Sequence, residues 1–183
     1  ESLFCCQKTK DAIQTNDVFA ACWQKCASYY LADSLSSFNQ IPSSPSHTLD
    51  SLRKSKKSSI NNHISGILET IGIERATPTL LERMLKSTIG FSDLVENNNH
   101  SQLIKQKYDY FLKNSMLSDC YFYLVYVNKE NFIKIKDNLN KEQDLIHILK
   151  IAFDIEADSN LLQQHIEKIQ TSCNDILEII SKT

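Results

Sequence analysis

Apolar residues recur at steps of three and four along most of the chain, a spacing that predicts amphipathic α-helices. The most regular stripe lies near the end and comprises Leu162, Ile166, Ile169, Cys173, Ile176, Leu177 and Ile180. The same spacing predicts helices over residues 3–14, 18–38, 48–71, 79–95, 103–112, 120–139, 145–155 and 161–180. The pattern therefore predicts an all-α, multi-helix bundle of about seven or eight helices.

The densest apolar run, residues 120–127, reads C-Y-F-Y-L-V-Y-V and has strand-like propensity. No second run of this quality exists in the sequence to pair with it, and an isolated strand leaves its backbone polar groups unsatisfied. We therefore predict a buried helix here.

The stretch that follows the second predicted helix is rich in proline and serine, as linkers are. It predicts three parts: a disulfide-clamped N-terminal helical hairpin at 1–39, a Pro/Ser/Lys linker with a helix start at 40–59, and a main helical bundle at 60–183. In the predicted helix 48–71, Lys56 falls where an apolar residue is expected.

Six cysteines in 183 residues are many for a reduced cytosolic protein without a metal or redox motif. Together with a chain that begins at Glu1, they favour a mature secreted protein whose signal peptide has been removed and whose cysteines are bonded. Cys5 and Cys6 on the first helix are predicted to pair with Cys22 and Cys26 on the second, in either order. A third bridge is predicted between Cys120 and Cys173. The alternative is six buried thiols in a reducing compartment.

Composition and motifs argue against several functional classes. Twenty Lys and Arg against 22 Asp and Glu give a net charge of −2, which provides no global field for nucleic acid. The sequence contains no run of apolar residues long enough to span a membrane. It also contains no H-x-x-x-H, C-x-x-C, phosphate-binding loop or nucleophile elbow. We expect no catalytic residues, no metal and no cofactor, and hence no enzyme.

Aromatic residues are concentrated in the middle of the chain. The candidates for core filling or for lining a ligand cavity are Tyr108, Phe111, Tyr121, Phe122, Tyr123 and Tyr126. Core filling is the simpler interpretation, because packed helices are common and cavities are few. A cavity would instead indicate a carrier of small apolar ligands.

Two surface features are further candidates. The basic block of Arg53, Lys54, Lys56 and Lys57 is a candidate anion patch for a sulfated glycan or a lipid headgroup, or else a solvated helix start. Asn99-His100-Ser101 matches the N-glycosylation sequon and makes Asn99 a candidate glycosylation site.

The C-x-x-x-C of Cys22 and Cys26 on a helix, the all-α content and the inferred secretion are similar to insect odorant-binding and related salivary proteins. The likeness covers little beyond these two cysteines. In that family two further cysteines recur close together late in the domain, whereas here the late cysteines stand alone and an adjacent N-terminal pair is added.

From these observations we expect a secreted, non-enzymatic protein that binds an extracellular protein or surface partner, as effector or salivary proteins do. The alternative is an odorant-binding-like carrier of a small hydrophobic molecule in a helical cavity. An internal cavity favours the carrier, and a filled core with an exposed apolar patch favours the interaction protein.

Overall fold

The structure, a computed structural model, describes residues 1–41, 44–95, 100–141, 143–155 and 158–182. These residues form helices without any strand, which confirms the all-α prediction. The nine α-helices in this part of the chain are α1 (Ser2–Gln14), α2 (Ala20–Phe38), α3 (Thr48–Arg53), α4 (Ile64–Ile71), α5 (Pro78–Val95), α6 (His100–Lys113), α7 (Leu117–Ile135), α8 (Ile146–Ala152) and α9 (Ser159–Ser181).

The chain divides into two compact units. The terminal unit comprises Glu1–Gly72 and Ala157–Thr183, and the central unit comprises Ile73–Glu156. This division differs from the predicted one, because the last helix packs with the first two instead of continuing the central bundle. The physical reason lies in α9, whose buried residues include Ile166, Ile169 and Ile176 and cover an apolar face of α1 and α2.

In the terminal unit, α1 packs on α2, and α2 also packs on α3, α4 and α9. The predicted single helix over 48–71 is two helices, because residues 54–60 leave the helical path between α3 and α4. α4 ends at Gly72, which has a left-handed φ of 87° that favours glycine.

Part of the predicted linker also contributes to the core. Leu49 and Leu52 of α3 are 1 % exposed, so this segment is anchored by apolar contacts. Pro42 and Ser43 lie outside the described residues.

In the central unit, α5 packs against α6, α7 and α8. α7 contains the run predicted to be a buried helix, and its residues Tyr121, Phe122, Leu124 and Val125 are 0 % exposed. These residues fill the core, as the simpler interpretation of the aromatic concentration predicted.

The expected disulfide bonds are absent from the structure. All six cysteines lie in described, buried positions, and none is joined in a disulfide. Ser2 and Cys173 are among the groups that influence the Cys6 thiol. The charged groups that influence the pKa of Cys22 are Asp17 and Lys25. Cys120 belongs to the central unit and Cys173 to the terminal unit.

Candidate functional site: a cleft in the central unit

A cleft of about 240 Å³ lies between α5, α6 and α7 of the central unit. Its apolar wall consists of Leu103 and Ile104 from α6 together with Tyr123, Tyr126 and Val127 from α7. Positions three and four apart on a helix share a face, so α7 places its contributors in one row along the cleft.

The aromatic part of the wall is rigidly packed. The ring of Tyr123 lies 5.7 Å from that of Phe111 and 6.5 Å from that of Tyr126, centroid to centroid. Burial raises the pKa of the Tyr123 hydroxyl to about 12, with smaller contributions from Tyr126 and Cys120. The phenol is therefore neutral at physiological pH and can act as a hydrogen-bond donor or acceptor.

The polar side of the cleft is formed by Ser92 of α5, His100 of α6, and Glu130, Asn131 and Lys134 of α7. His100 and Lys134 are exposed, whereas Ser92 and Asn131 are buried. The lining of the cleft is therefore amphipathic, because it combines the apolar wall with the nitrogen-bearing side chains of His100 and Lys134 at the solvent side.

Asn131 is the most informative residue of this lining. Asn131 is only 3 % exposed, and its side-chain Nδ2 has no hydrogen-bond partner in the described part of the chain. A buried amide N–H without a partner costs about 1–3 kcal/mol, and such groups in native proteins call for an explanation. A hydrogen-bond acceptor on a bound molecule would remove this cost.

Asn128, one turn earlier on α7, differs from Asn131 in that its Nδ2 is bonded, although its Oδ1 also has no hydrogen-bond partner among the described residues. It is 0 % exposed, and its Nδ2 donates to Thr88 Oγ1 at 2.9 Å and to the Ala152 carbonyl at 2.8 Å. These bonds tie α7 to α5 and α8. Asn131 makes no corresponding connection through its Nδ2.

The structure separates the residues that sequence reasoning placed together. Tyr123 and Tyr126 line the cleft, whereas Tyr121, Phe122 and Phe111 are 0 % exposed in the core. Tyr108 is half-buried and does not belong to the lining. Asn131, His100 and Lys134 were missed, because polar residues on a helix carry no local sign of a cleft.

The other candidates lie elsewhere. Arg53, Lys54, Lys56 and Lys57 are all exposed in the terminal unit, and Lys54 forms an ion pair with Asp50 at 2.6 Å. Asn99 lies outside the described residues. Within the part of the chain that the structure describes, no three His, Cys, Asp or Glu side chains converge as metal ligands would. No helix among these residues has the length and apolar character that crossing a membrane requires.

Comparison with known proteins adds no relative: no protein-family model, curated protein or solved structure matches the chain. The geometry of the cleft is therefore the basis for a functional proposal.

Proposed function

We propose that the protein is a non-enzymatic binding protein that holds a small amphipathic molecule in the cleft between α5, α6 and α7. The observation that carries this proposal is the buried Nδ2 of Asn131, a hydrogen-bond donor without a partner beside an apolar wall. Action outside the cell remains part of the proposal and rests on the cysteine content of the sequence.

The size of the cleft limits the ligand. An apolar cavity of about 150 Å³ holds benzene, and typical drug-sized sites have about 300–1,000 Å³. A cleft of about 240 Å³ suits one ring with a short side chain, or an aliphatic chain of similar volume.

The chemistry of the lining sets the polar end of the ligand. Asn131 provides a donor, and His100 and Lys134 bring further N–H groups to the same side of the cleft. An acceptor group, a carboxylate or a carbonyl, matches this side. Glu130 is the one carboxylate among the described lining residues, so the pair of carboxylates used in many hydrolytic sites is not assembled here.

Binding is tested by calorimetric titration with 3-phenylpropionate and with propylbenzene, which lacks the acceptor. We expect saturable one-to-one binding of the carboxylate and weaker binding of the hydrocarbon. Asn131→Leu should weaken 3-phenylpropionate binding at least about tenfold, which corresponds to about 1.4 kcal/mol. The unliganded variant should be as stable as the parent or up to about 1 kcal/mol more stable, because an unsatisfied buried donor is removed.

Asn128→Leu is the matched control. It breaks two hydrogen bonds and should lower the free energy of unfolding by about 1–3 kcal/mol. If Asn131→Leu destabilises the protein equally and leaves probe binding unchanged, Asn131 is a structural residue. Failure of the parent protein to bind either probe would overturn the proposal.

A second candidate function is binding of a macromolecular partner by the terminal unit. Leu3 of α1 and Leu177 and Ile180 of α9 are 42 %, 54 % and 47 % exposed, and their helices pack on each other. Exposed large apolar residues on neighbouring helices are typical of interaction surfaces. Leu177→Lys with Ile180→Lys should then abolish partner binding while leaving 3-phenylpropionate binding in the central unit intact.

A further inference from the structure

Two buried thiols in the terminal unit lie near one hydroxyl group, that of Ser2. The Sγ of Cys173 on α9 donates to the Oγ of Ser2 at 3.6 Å. Cys6 lies one turn after Ser2 on the same face of α1, and both Ser2 and Cys173 influence the pKa of its thiol. Ser2 donates its own proton to the carbonyl of Ala27 at 2.8 Å. The Cys173 thiol is therefore held against the face of α1 that carries Cys6.

The helices that carry these thiols fix their positions. α1 and α9 pack against each other, and both also pack on α2. Cys6 is 0 % exposed and Cys173 is 5 % exposed, so neither side chain has solvent to move into. Cys173 is among the ionisable groups that influence the pKa of Cys6. The groups that influence the pKa of Cys22 are instead Asp17 and Lys25.

We propose that Cys6 and Cys173 form a disulfide bond joining α1 to α9 when the chain folds in the presence of a low-molecular-weight disulfide such as oxidised glutathione. The two protein thiols lose two protons and two electrons, one S–S bond forms between them, and one S–S bond of glutathione is reduced to two thiols. The structure shows the dithiol state of this pair. The pairing differs from the predicted ones, which joined Cys6 to α2 and Cys173 to Cys120.

The surroundings of the pair fix when the bond can form. Burial raises the pKa of Cys6 to about 12 and also raises that of Cys173, so little thiolate exists at neutral pH in the folded protein. Thiolate is the nucleophile of disulfide exchange. The bond therefore forms before α9 docks on α1, and the packed helices afterwards shield it from reductants. This behaviour is that of a structural disulfide and not of a redox sensor.

The bond would connect the two chain segments of the terminal unit. These segments, Glu1–Gly72 and Ala157–Thr183, are separated in sequence by the whole central unit. Closing so long a loop restricts the unfolded chain strongly. We therefore expect the oxidised protein to melt at least about 5 °C above the reduced protein.

Peptide mapping tests the pairing directly. The protein is refolded with reduced and oxidised glutathione, alkylated in denaturant without reductant, and digested with trypsin. Cleavage after Lys and Arg places Cys5 and Cys6 in peptide 1–8, Cys173 in peptide 169–182, and Cys22, Cys26 and Cys120 in three other peptides. We expect peptide 1–8 linked to peptide 169–182, and the link should disappear on reduction.

Single variants assign the link within peptide 1–8. Cys6→Ala and Cys173→Ala should each abolish the linked peptide and the gain in melting temperature, whereas Cys5→Ala and the control Cys22→Ala should keep both. Full alkylation of Cys6 and Cys173 in the parent protein after oxidative refolding would overturn the proposal, as would a link from either of them to another cysteine. The mapping uses the parent protein, so the result does not depend on whether a variant folds.

Discussion

Asp154 is the residue on which three segments of the central unit converge. Its carboxylate accepts Arg75 Nε at 2.8 Å and a second guanidinium nitrogen at 2.9 Å, and it accepts the Tyr121 hydroxyl at 3.1 Å. Its backbone has a φ of 50°, a left-handed conformation that Asp and Asn adopt more readily than most residues. The bidentate ion pair and the phenol thus hold the end of α8 against α7 and the segment before α5.

Removing the cation should reveal how much this pair stabilises the central unit. Arg75→Met leaves the carboxylate of Asp154 with the Tyr121 hydroxyl as its only described partner, in a residue that is 7 % exposed. The substitution should lower the free energy of unfolding, measured by urea denaturation, by about 2 kcal/mol. Adding Asp154→Asn should restore part of this loss, because it removes the buried charge and keeps a residue suited to the left-handed backbone. Glu82→Gln, which breaks an exposed ion pair with Lys86 in the same unit, should have no measurable effect. Equal losses in Arg75→Met and Glu82→Gln would contradict this account.

At the level of single residues, only part of the candidate site could be predicted from the sequence. Tyr123 and Tyr126 were named because an aromatic cluster is visible in a local window. Asn131 lies in a polar-looking stretch of α7, and its importance follows from what surrounds its Nδ2 in three dimensions. Likewise, the neighbours of Cys6 are set by α9, more than 150 residues later in the chain, and no spacing rule relates the two.

At the level of helices, the apolar periodicity predicted most of the elements, and its one clear failure has a local cause. The predicted helix over 48–71 contains Lys56 and neighbouring polar residues. Because these residues have no apolar side chains to bury against a neighbouring helix, the helix is interrupted there. α5, by contrast, is one helix from Pro78 to Val95, as the periodicity predicted.

Two glycine-to-alanine substitutions test these helix assignments, and we expect them to change the free energy of unfolding in opposite directions. Gly90 lies inside α5, and a Cβ placed there meets no atom within 4 Å, so Gly90→Ala should stabilise the protein by about 0.5–1 kcal/mol through helix propensity. Gly72 ends α4 with a φ of 87°, where alanine is strained, so Gly72→Ala should destabilise it by about 1 kcal/mol or more. Both are measured by urea denaturation. A loss of stability in Gly90→Ala would indicate that α5 is interrupted at that position.

At the level of the whole molecule, the sequence predicted the fold class but not the division into units. Helical periodicity reports which face of a segment is apolar, and it does not report which distant segment covers that face. The packing of α9 on α1 and α2 is an example, because it depends on contacts throughout the terminal unit and not on the sequence of α9 alone.

The buried thiols also give the reduced protein a characteristic response to alkaline pH. Burial raises the pKa values of Cys6 and Cys120 from 9.0 to about 12, and it raises those of Cys22 and Cys173 as well. Well below pH 9 these thiols are protonated in both the folded and the unfolded chain and do not change the free energy of unfolding. As the pH rises through 9.0, the unfolded chain releases protons that the folded chain retains, so the free energy of unfolding falls.

The expected fall is about 1 kcal/mol for each of Cys6 and Cys120 between pH 9 and pH 10, measured by urea denaturation with a reductant that remains active at that pH. Cys22→Ala removes one titrating thiol and should therefore make the decrease in the free energy of unfolding between pH 9 and pH 10 smaller. This holds whatever the substitution does to stability at neutral pH. Because oxidation of Cys6 and Cys173 removes two more, the disulfide form should lose less stability over the same interval. A reduced protein whose stability stays constant from pH 8 to pH 10 would show that these thiols ionise in the folded state, and hence that they are less buried than the helix packing requires.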